Sequence, residues 1–523
     1  MTERILPPER GDAAEADDAD LASHGYKRRL NRSLGGFSSF AAGFSYISIL
    51  TGMFQLFGFG YGFGGPLLFW SWFVVLGGQL VVALNFAELS ARYPIAGSVY
   101  QWSKKVSGRL ASWMSGWAML VGCVATVGSV SVAWQVVLPQ ISGVFVIVHN
   151  DAQNAVLLGT GMIVITTIIN MLGVRLMAII NNIGVAAELV GVVLIIVLLA
   201  FHLQRGPGVV FSTQGAGPGL PGWSAMGYLA PLLMCVILPA YVMFGFDTAG
   251  SLAEETRDPR RTTPRAIVQA LATSGGAGAI LLVMALMATG TLSLTEVGEG
   301  GLPVILEQAL GSTVGKILLV DVAFAMFICA LAIQTAAIRL AFSMARDYAL
   351  PFGDRLSHVS ERRQSPVAPA LVSGVAAVCL LVLNVGNQQI FLVVTSVSIV
   401  TVYIAYLLVT FPLLRRRLRG WPADQGREGW FFMGRKAGIV VNAAAVAYGV
   451  LMAVNLIWPR DLIYGEGAYA WGGVIFVVVV IAVGGLYYLL RQHGREHRIA
   501  DEHRHDGPRT AAVHDPGVPD QRA

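Results

Sequence analysis

Asp247 stands inside a stretch, Tyr228 to Ser251, that is otherwise almost wholly apolar, and its surroundings read Phe244-Gly245-Phe246-Asp247-Thr248-Ala249-Gly250. A carboxylate at the centre of a membrane-spanning helix costs about 2.5 to 3.5 kcal/mol on insertion scales. An intramembrane acid beside helix-weakening glycines therefore marks a candidate functional site. Ile49-Leu50-Thr51-Gly52 interrupts another apolar stretch in a similar way. A helix broken near Thr51-Gly52 would free N–H groups at a new half-helix N-terminus, where the dipole favours a carboxylate. A break near Gly245 would free carbonyls which, with the Asp247 carboxylate, accept hydrogen bonds from an ammonium group. Two such breaks describe a site for a small zwitterion, bordered by Phe244 and Phe246. Tyr241, one turn before Gly245, either covers that site, stacks on a cationic group or is a core aromatic. Glu188 is a further intramembrane acid. A carboxyl group buried there can exchange a proton near neutral pH, ligate sodium, or simply pair with a polar group between helices.

The elements that must hold these residues follow from composition. The chain has 523 residues, 55% hydrophobic and only 13% charged, which excludes an ordinary soluble protein and implies an all-α polytopic membrane protein. About 20 consecutive apolar residues cross a bilayer as a helix. Twelve such stretches are expected, at 35–60, 66–89, 110–138, 154–172, 179–202, 228–251, 267–292, 316–345, 367–385, 389–411, 437–458 and 469–490. The interrupted spans 1 and 6 open two groups of five. Inverted-repeat transporters show this pattern, with discontinuous helices meeting at the midplane. The corresponding division is a tail at 1–34, a first repeat at 35–202, a second at 203–411, two additional helices within 412–490, and a tail at 491–523. Glycines that merely allow close helix packing are the plainer explanation of the interruptions.

Net charge is +5, and its distribution explains it. Basic residues crowd alternate loops: Arg92, Lys104, Lys105 and Arg109; then Arg257, Arg260, Arg261 and Arg265; then Arg346, Arg355, Arg362 and Arg363. The last cluster is Arg415, Arg416, Arg417, Arg419, Arg427, Arg435 and Lys436. This asymmetry places both termini in the cytoplasm of a multi-pass protein of the cell membrane. No nucleic-acid partner, metal, cofactor or catalytic group is expected. The histidines of the C-terminal tail, His493, His497, His503, His505 and His514, match no compact ligand set, and a solvated tail explains them. Cys123, Cys235, Cys329 and Cys379 all fall inside spans without paired spacing and are read as small core residues. No cleavable signal peptide is apparent.

Three motifs carry a resemblance. Ala253-Glu254-Glu255-Thr256-Arg257-Asp258-Pro259-Arg260-Arg261-Thr262-Thr263-Pro264-Arg265 follows span 6, Asn85-Phe86-Ala87-Glu88-Leu89-Ser90-Ala91-Arg92-Tyr93-Pro94 closes span 2, and Arg339-Leu340-Ala341-Phe342-Ser343-Met344-Ala345-Arg346-Asp347 closes span 8. Together they resemble permeases of the amino acid/polyamine/organocation superfamily over residues 27 to 490, most closely the amino acid/choline transporter branch. The resemblance implies a secondary active transporter working by alternating access on an amino acid or related amine, γ-aminobutyrate and choline included. It implies that Thr51 and Gly52 bind a substrate carboxylate through backbone amides, with Leu50 in place of a common glycine. By the same resemblance Gly245 lies in the unwound sixth span, Tyr241 is an aromatic gate and Asp247 is a polar position beside the substrate. A lysine of sodium-independent relatives corresponds to Glu188, which makes proton coupling the expectation, with sodium coupling and exchange as alternatives.

Glu88, Arg92, Glu254, Glu255, Arg339 and Arg346 gather near one membrane face, where ion pairs between repeats would form a gate or, more plainly, loop charges would anchor at headgroups. Asp321 and Arg339 are about 27 Å apart along one helix and cannot pair. Asp321 is read as a snorkelling acid or as part of an outer vestibule. A substrate-sensing receptor on the same fold is the non-transport alternative, and the oligomeric state is not legible.

Overall fold

The computed structural model describes residues 33–212, 226–360, 365–383, 388–422, 430–464, 466–467 and 469–492. The tails at 1–34 and 491–523, with their acidic residues and histidines, lie almost wholly outside the described residues, as do Arg362, Arg363 and Arg427.

Hydrocarbon offers no partner to a backbone N–H or C=O, so each apolar stretch closes its own hydrogen bonds as a helix. In chain order the helices are α1 (Gly36–Ile47), α2 (Ile49–Gly64), α3 (Leu68–Arg92), α4 (Ser98–Val106), α5 (Arg109–Val132), α6 (Trp134–Ile141), α7 (Asp151–Leu172) and α8 (Val174–Ala200). The second part comprises α9 (Leu229–Cys235), α10 (Ile237–Val242), α11 (Thr248–Ser251), α12 (Pro259–Ala288), α13 (Leu294–Leu310), α14 (Ser312–Arg346) and α15 (Val367–Val382). The chain continues through α16 (Gln388–Leu418), α17 (Arg435–Ile457) and α18 (Gly472–Tyr487). Among the described residues nine helical runs are long and apolar enough to cross a membrane; the first, Gly36–Arg92, contains two expected spans, and the shorter apolar helices Leu229–Val242 and Val367–Val382 complete the set of twelve.

Contacts with α12 give the course of the chain. Gly36 and Gly43 of α1 lie beside Thr262 and Ala270, so α1 runs parallel to α12. On α3, Trp72 donates to the Gly275 carbonyl at 2.8 Å while Ala91 accepts from Arg260, so α3 runs the other way. The reversal falls at Gly65, whose φ of +54° suits glycine. Glycines let the helices approach closely: a Cβ at Gly278 would sit 2.2 Å from the Trp72 ring.

The core centres on α14, 72% of whose most apolar window is buried, against 33% for α17 and 28% for α18. The last two helices are therefore peripheral. Cys123, Cys235 and Cys329 are buried as expected, but Cys379 is exposed on the outer face of α15. One apolar residue more or less on a lipid-facing helix leaves no trace in the sequence, because lipid and core are equally apolar.

Candidate functional site

Span 1 is broken, but three residues earlier than Thr51-Gly52. The break is Ser48, at φ 32° and ψ 98°, which caps both half-helices. Its N–H closes α1 on the Phe44 carbonyl, and its carbonyl accepts the first bond of α2 from Gly52. Its hydroxyl caps α2 by accepting from the Thr51 N–H at 3.4 Å, and it lies 2.6 Å from Thr51 Oγ1. A serine at an N-cap satisfies an orphan donor, which is why the chain breaks here rather than at the better helix-breaker Gly52. Ile49, Leu50, Thr51 and Gly52 form the first turn of α2.

Span 6 is open from Met243 to Asp247, between α10 and α11. Gly245 has φ +87°, and a Cβ there would meet the Tyr46 ring at 1.9 Å. Gly52 bears a similar constraint: its Cβ would lie 2.3 Å from Val242 Cγ2. The two breaks thus face each other, one ring and one side chain apart.

Between them is a small cavity. Span 1 contributes Tyr46, Thr51 and Gly52, span 6 Tyr241 and Phe244, and spans 3 and 8 Thr126 and Cys329. Its water-accessible volume is about 10 Å³, room for roughly one water molecule. Tyr46 and Tyr241 each meet Phe244 edge-on, at 5.7 and 6.0 Å between ring centres. Tyr241 donates its hydroxyl hydrogen to Ser129 at 3.0 Å, tying span 6 to span 3. None of the lining residues is charged.

Asp247 was expected to face a substrate ammonium group. It does not line the cavity. Its Oδ1 accepts from the Tyr406 hydroxyl at 2.6 Å and its Oδ2 from Ser98 at 2.7 Å. Tyr406 in turn accepts from the Gly245 N–H at 3.0 Å, and Ser251 donates to Ser98. A buried carboxylate needs such donors. They come from α16 and α4, so the acid fastens the open part of span 6 to its neighbours. Phe246 is also turned away, packing on Phe86 and Tyr406.

Glu188 reaches the back of the first break. Its Oε1 accepts from the Ser48 hydroxyl at 2.9 Å and from the Leu50 N–H at 3.3 Å, while Oε2 is buried without a hydrogen-bond partner. A carboxylate at the N-terminus of α2 is favoured by the helix dipole. Leu50 thus presents its amide to Glu188, and Thr51 and Gly52 face the cavity.

The residues read as a gate assemble at the Arg-rich end of the bundle. Glu88 pairs with Arg417 at 2.7 Å, and both are buried. Arg339 pairs with Glu255 at 2.9 Å, and Arg346 holds Glu254 through both oxygens, at 2.9 and 3.1 Å. Arg92 lies over the Trp421 and Phe432 rings. Glu254 also accepts from the Ala96 N–H, and Leu34 exchanges backbone hydrogen bonds with Glu255 and Arg257. The chain entering span 1 is thereby sewn to the chain leaving span 6.

Ser48, Tyr46, Ser98, Tyr406 and Arg417 are the residues built into the breaks and the Arg-rich end that sequence reasoning missed. Ser48 carried a signal, a capping residue three positions before Thr51, but the others did not stand out from apolar or basic surroundings.

The architecture is that of a multi-pass membrane protein with two broken helices meeting at a central cavity. The family model described as "Amino acid permease" matches residues 34–486, and the chain belongs to this family, within the amino acid/polyamine/organocation superfamily. It is similar to the amino-acid permease BAT1 of Arabidopsis thaliana, 29% identical over 84% of this chain and 88% of the relative. A BAT1 homolog of Oryza sativa is 26% identical over 92% of this chain and 94% of its own length. Amino-acid permease 2 of Neurospora crassa is 26% identical over 93% of this chain and 89% of its own.

Proposed function

We propose that the chain is a secondary active transporter that carries an amino acid across the cell membrane by alternating access, coupled to protons through Glu188, with both termini cytoplasmic. Residues 35–202 and 203–411 would be its inverted repeats. The observation that carries this reading is the opposition of the two breaks, with the Tyr46 ring seated on Gly245. A substrate carboxylate takes the Thr51 N–H, now held only by a long 3.4 Å contact to Ser48, together with the Thr51 hydroxyl. The ammonium group lies among the rings of Tyr46, Tyr241 and Phe244 and meets no acid partner, since Asp247 is engaged elsewhere.

A cavity that holds roughly one water must widen to admit substrate. The buried pairs at the Arg-rich end are the contacts that substrate binding works against. A ligand shifts such an equilibrium only by its differential affinity for the states, so the gain has to come from the breaks themselves. Glu188 couples a proton to this motion because its Oε1 holds Ser48 and Leu50, and a proton taken on the free Oε2 removes the negative charge that strengthens those two hydrogen bonds.

A second reading has its own support. Three aromatic rings lining a cavity that holds no acid suit a quaternary ammonium such as choline. Counterflow in liposomes containing the purified full-length protein separates the two. Radiolabelled amino acid mixture is expected to exchange against unlabelled mixture, and radiolabelled choline and spermidine are not. Exchange of choline alone would replace the first reading by the second, and no exchange of any probe would favour a substrate sensor.

A further inference from the structure

We propose that Asp321 is a second proton-carrying carboxylate, working in series with Glu188 along the seam between α8 and α14. The inference rests on the proton-coupling role proposed for Glu188 and adds to it the group through which the proton arrives.

Gly184, Glu188 and Gly191 lie four and three residues apart on α8 and so share one face. Both glycines are filled by α14. A Cβ at Gly184 would meet Ile328 at 2.3 Å, and one at Gly191 would meet Asp321 Oδ2 at 1.7 Å. The helices are therefore antiparallel here, and Glu188 sits between the two contacts, one turn from the glycine that seats the Asp321 carboxylate. Asp321 does not snorkel away from the bundle; it folds over Gly191. Its Oδ2 is buried without a hydrogen-bond partner, and so is Oε2 of Glu188, a residue only 1% exposed.

The buried glutamates at the Arg-rich end each face a guanidinium, Glu88 with Arg417, Glu254 with Arg346 and Glu255 with Arg339, whereas among the described residues neither Glu188 nor Asp321 forms an ion pair with a basic side chain. Two carboxyl groups one turn apart on the same seam, without a cationic side chain between them and each with an unpartnered oxygen, are instead suited to hold a proton. Exposure assigns the order: Asp321 is partly accessible and Glu188 is not. The transfer balances simply. The Asp321 O–H bond breaks as an O–H bond forms on Glu188, and the resulting Asp321 carboxylate reloads from water.

The elements packed on the seam bring few other titratable groups. On α14 itself there are Lys316, which is exposed, Cys329, and Arg339 and Arg346, which pair with Glu255 and Glu254 at the Arg-rich end. The α1 and α2 helices carry only Tyr46 and Tyr61, and α5 carries Arg109 and Cys123. Glu296, Glu299 and Glu307 lie on α13, with Glu307 beside Gly315. Asp151 begins α7, Arg175 lies at the far end of α8, and the arginines of α12, Arg260, Arg261 and Arg265, are at the Arg-rich end.

The test uses purified full-length protein in liposomes, the radiolabelled amino acid mixture, and two readouts: uptake driven by an acid-outside pH gradient, and counterflow at equal pH. Asp321→Asn is expected to lower gradient-driven uptake by about tenfold or more while counterflow stays within about twofold. Gly191→Ala, whose new methyl group evicts the carboxylate, is expected to do the same, and Asp321→Glu to restore part of the driven uptake. Normal driven uptake by Asp321→Asn, with Glu188→Gln defective, would overturn the relay and leave the role of Glu188 intact. Normal driven uptake by both would remove the coupling reading itself. Equal loss of counterflow in Asp321→Asn and Asp321→Glu would make the acid structural, and uptake driven by sodium but not by protons would make the seam a cation site.

Discussion

The Tyr406 hydroxyl donates to Asp247 at 2.6 Å while accepting from the Gly245 N–H at 3.0 Å, so a single phenol from α16 ties the middle of the opened part of span 6 to its end. The arrangement closes a ring of contacts around the break, completed by Ser98 on the other carboxylate oxygen. The acid here is a fastening, and its removal has a different signature from the loss of a substrate partner. Asp247→Asn keeps one acceptor oxygen but turns an N–H₂ group toward a hydroxyl that had been donating. The variant is expected to lose about 1 to 3 kcal/mol of stability. Its relative affinity for amino acids and choline, measured by competition in binding assays, should stay constant. A selective loss of the cation would return Asp247 to the substrate.

Gly245 is held by two independent constraints. Its φ of +87° disfavours any side chain, and a Cβ would enter the Tyr46 ring. Gly245→Ala is expected to abolish counterflow at normal expression, and Tyr46→Phe should not rescue it, because the ring remains. Tyr46→Ala in the same background removes the clash but not the backbone strain, so recovery should be partial. Full activity of Gly245→Ala would show that the opened segment has more room than its present packing allows.

Glu88 and Arg417 form a pair that is 2.7 Å apart and almost completely buried, and Arg417 also donates to Asn85 at 3.2 Å. Removing one member of a buried pair leaves an uncompensated charge and costs about 3 to 5 kcal/mol, whereas replacing both by apolar groups is often nearly neutral. Glu88→Gln and Arg417→Met should each lower the melting temperature in detergent, and the double variant should melt closer to the parent. The double variant is also expected to shift the protein toward states open at the Arg-rich end, visible as faster labelling of a cysteine placed at Ser98. Additive destabilisation would mean that the two charges do not depend on each other.

How far these relationships can be read from the chain depends on their range. The spans, the acid within span 6 and the existence of an interruption in span 1 are local patterns of hydropathy and glycine placement, and the structure contains each of them, the interruption three residues earlier than expected. The side on which a residue faces is not local. Asp247 and the cavity are separated by less than one turn, yet whether the acid meets substrate or Tyr406 is decided by α16, some 159 residues away. Arg417 belongs to a run of arginines that obeys the charge asymmetry of the loops; only Arg417 within Arg415-Arg416-Arg417 is buried, because it alone turns toward Glu88 on α3. The displacement of the break from Thr51 to Ser48 was the more legible case. A capping hydroxyl stabilises a helix start by about 1 kcal/mol, enough to choose between adjacent positions.

Gly52 and Val242 test the opposition of the two broken helices directly. A Cβ on Gly52 would lie 2.3 Å from Val242 Cγ2 but 3.3 Å from Val242 Cβ. Gly52→Ala must therefore push α2 and α10 apart, and counterflow is expected to fall by about tenfold or more, since a small misplacement at a binding site is costly. Val242→Ala alone removes two methyl groups from the interface and should reduce stability by roughly 1 kcal/mol, with modest effect on transport. In the double variant the offending methyl group is gone and the nearest remaining atom is at a tight but tolerable distance. Restoration of counterflow in Gly52→Ala/Val242→Ala would place the two breaks in contact during transport. If the double variant is as inactive as Gly52→Ala, the glycine is needed for its backbone amide's approach to the substrate, and the contact with α10 is secondary.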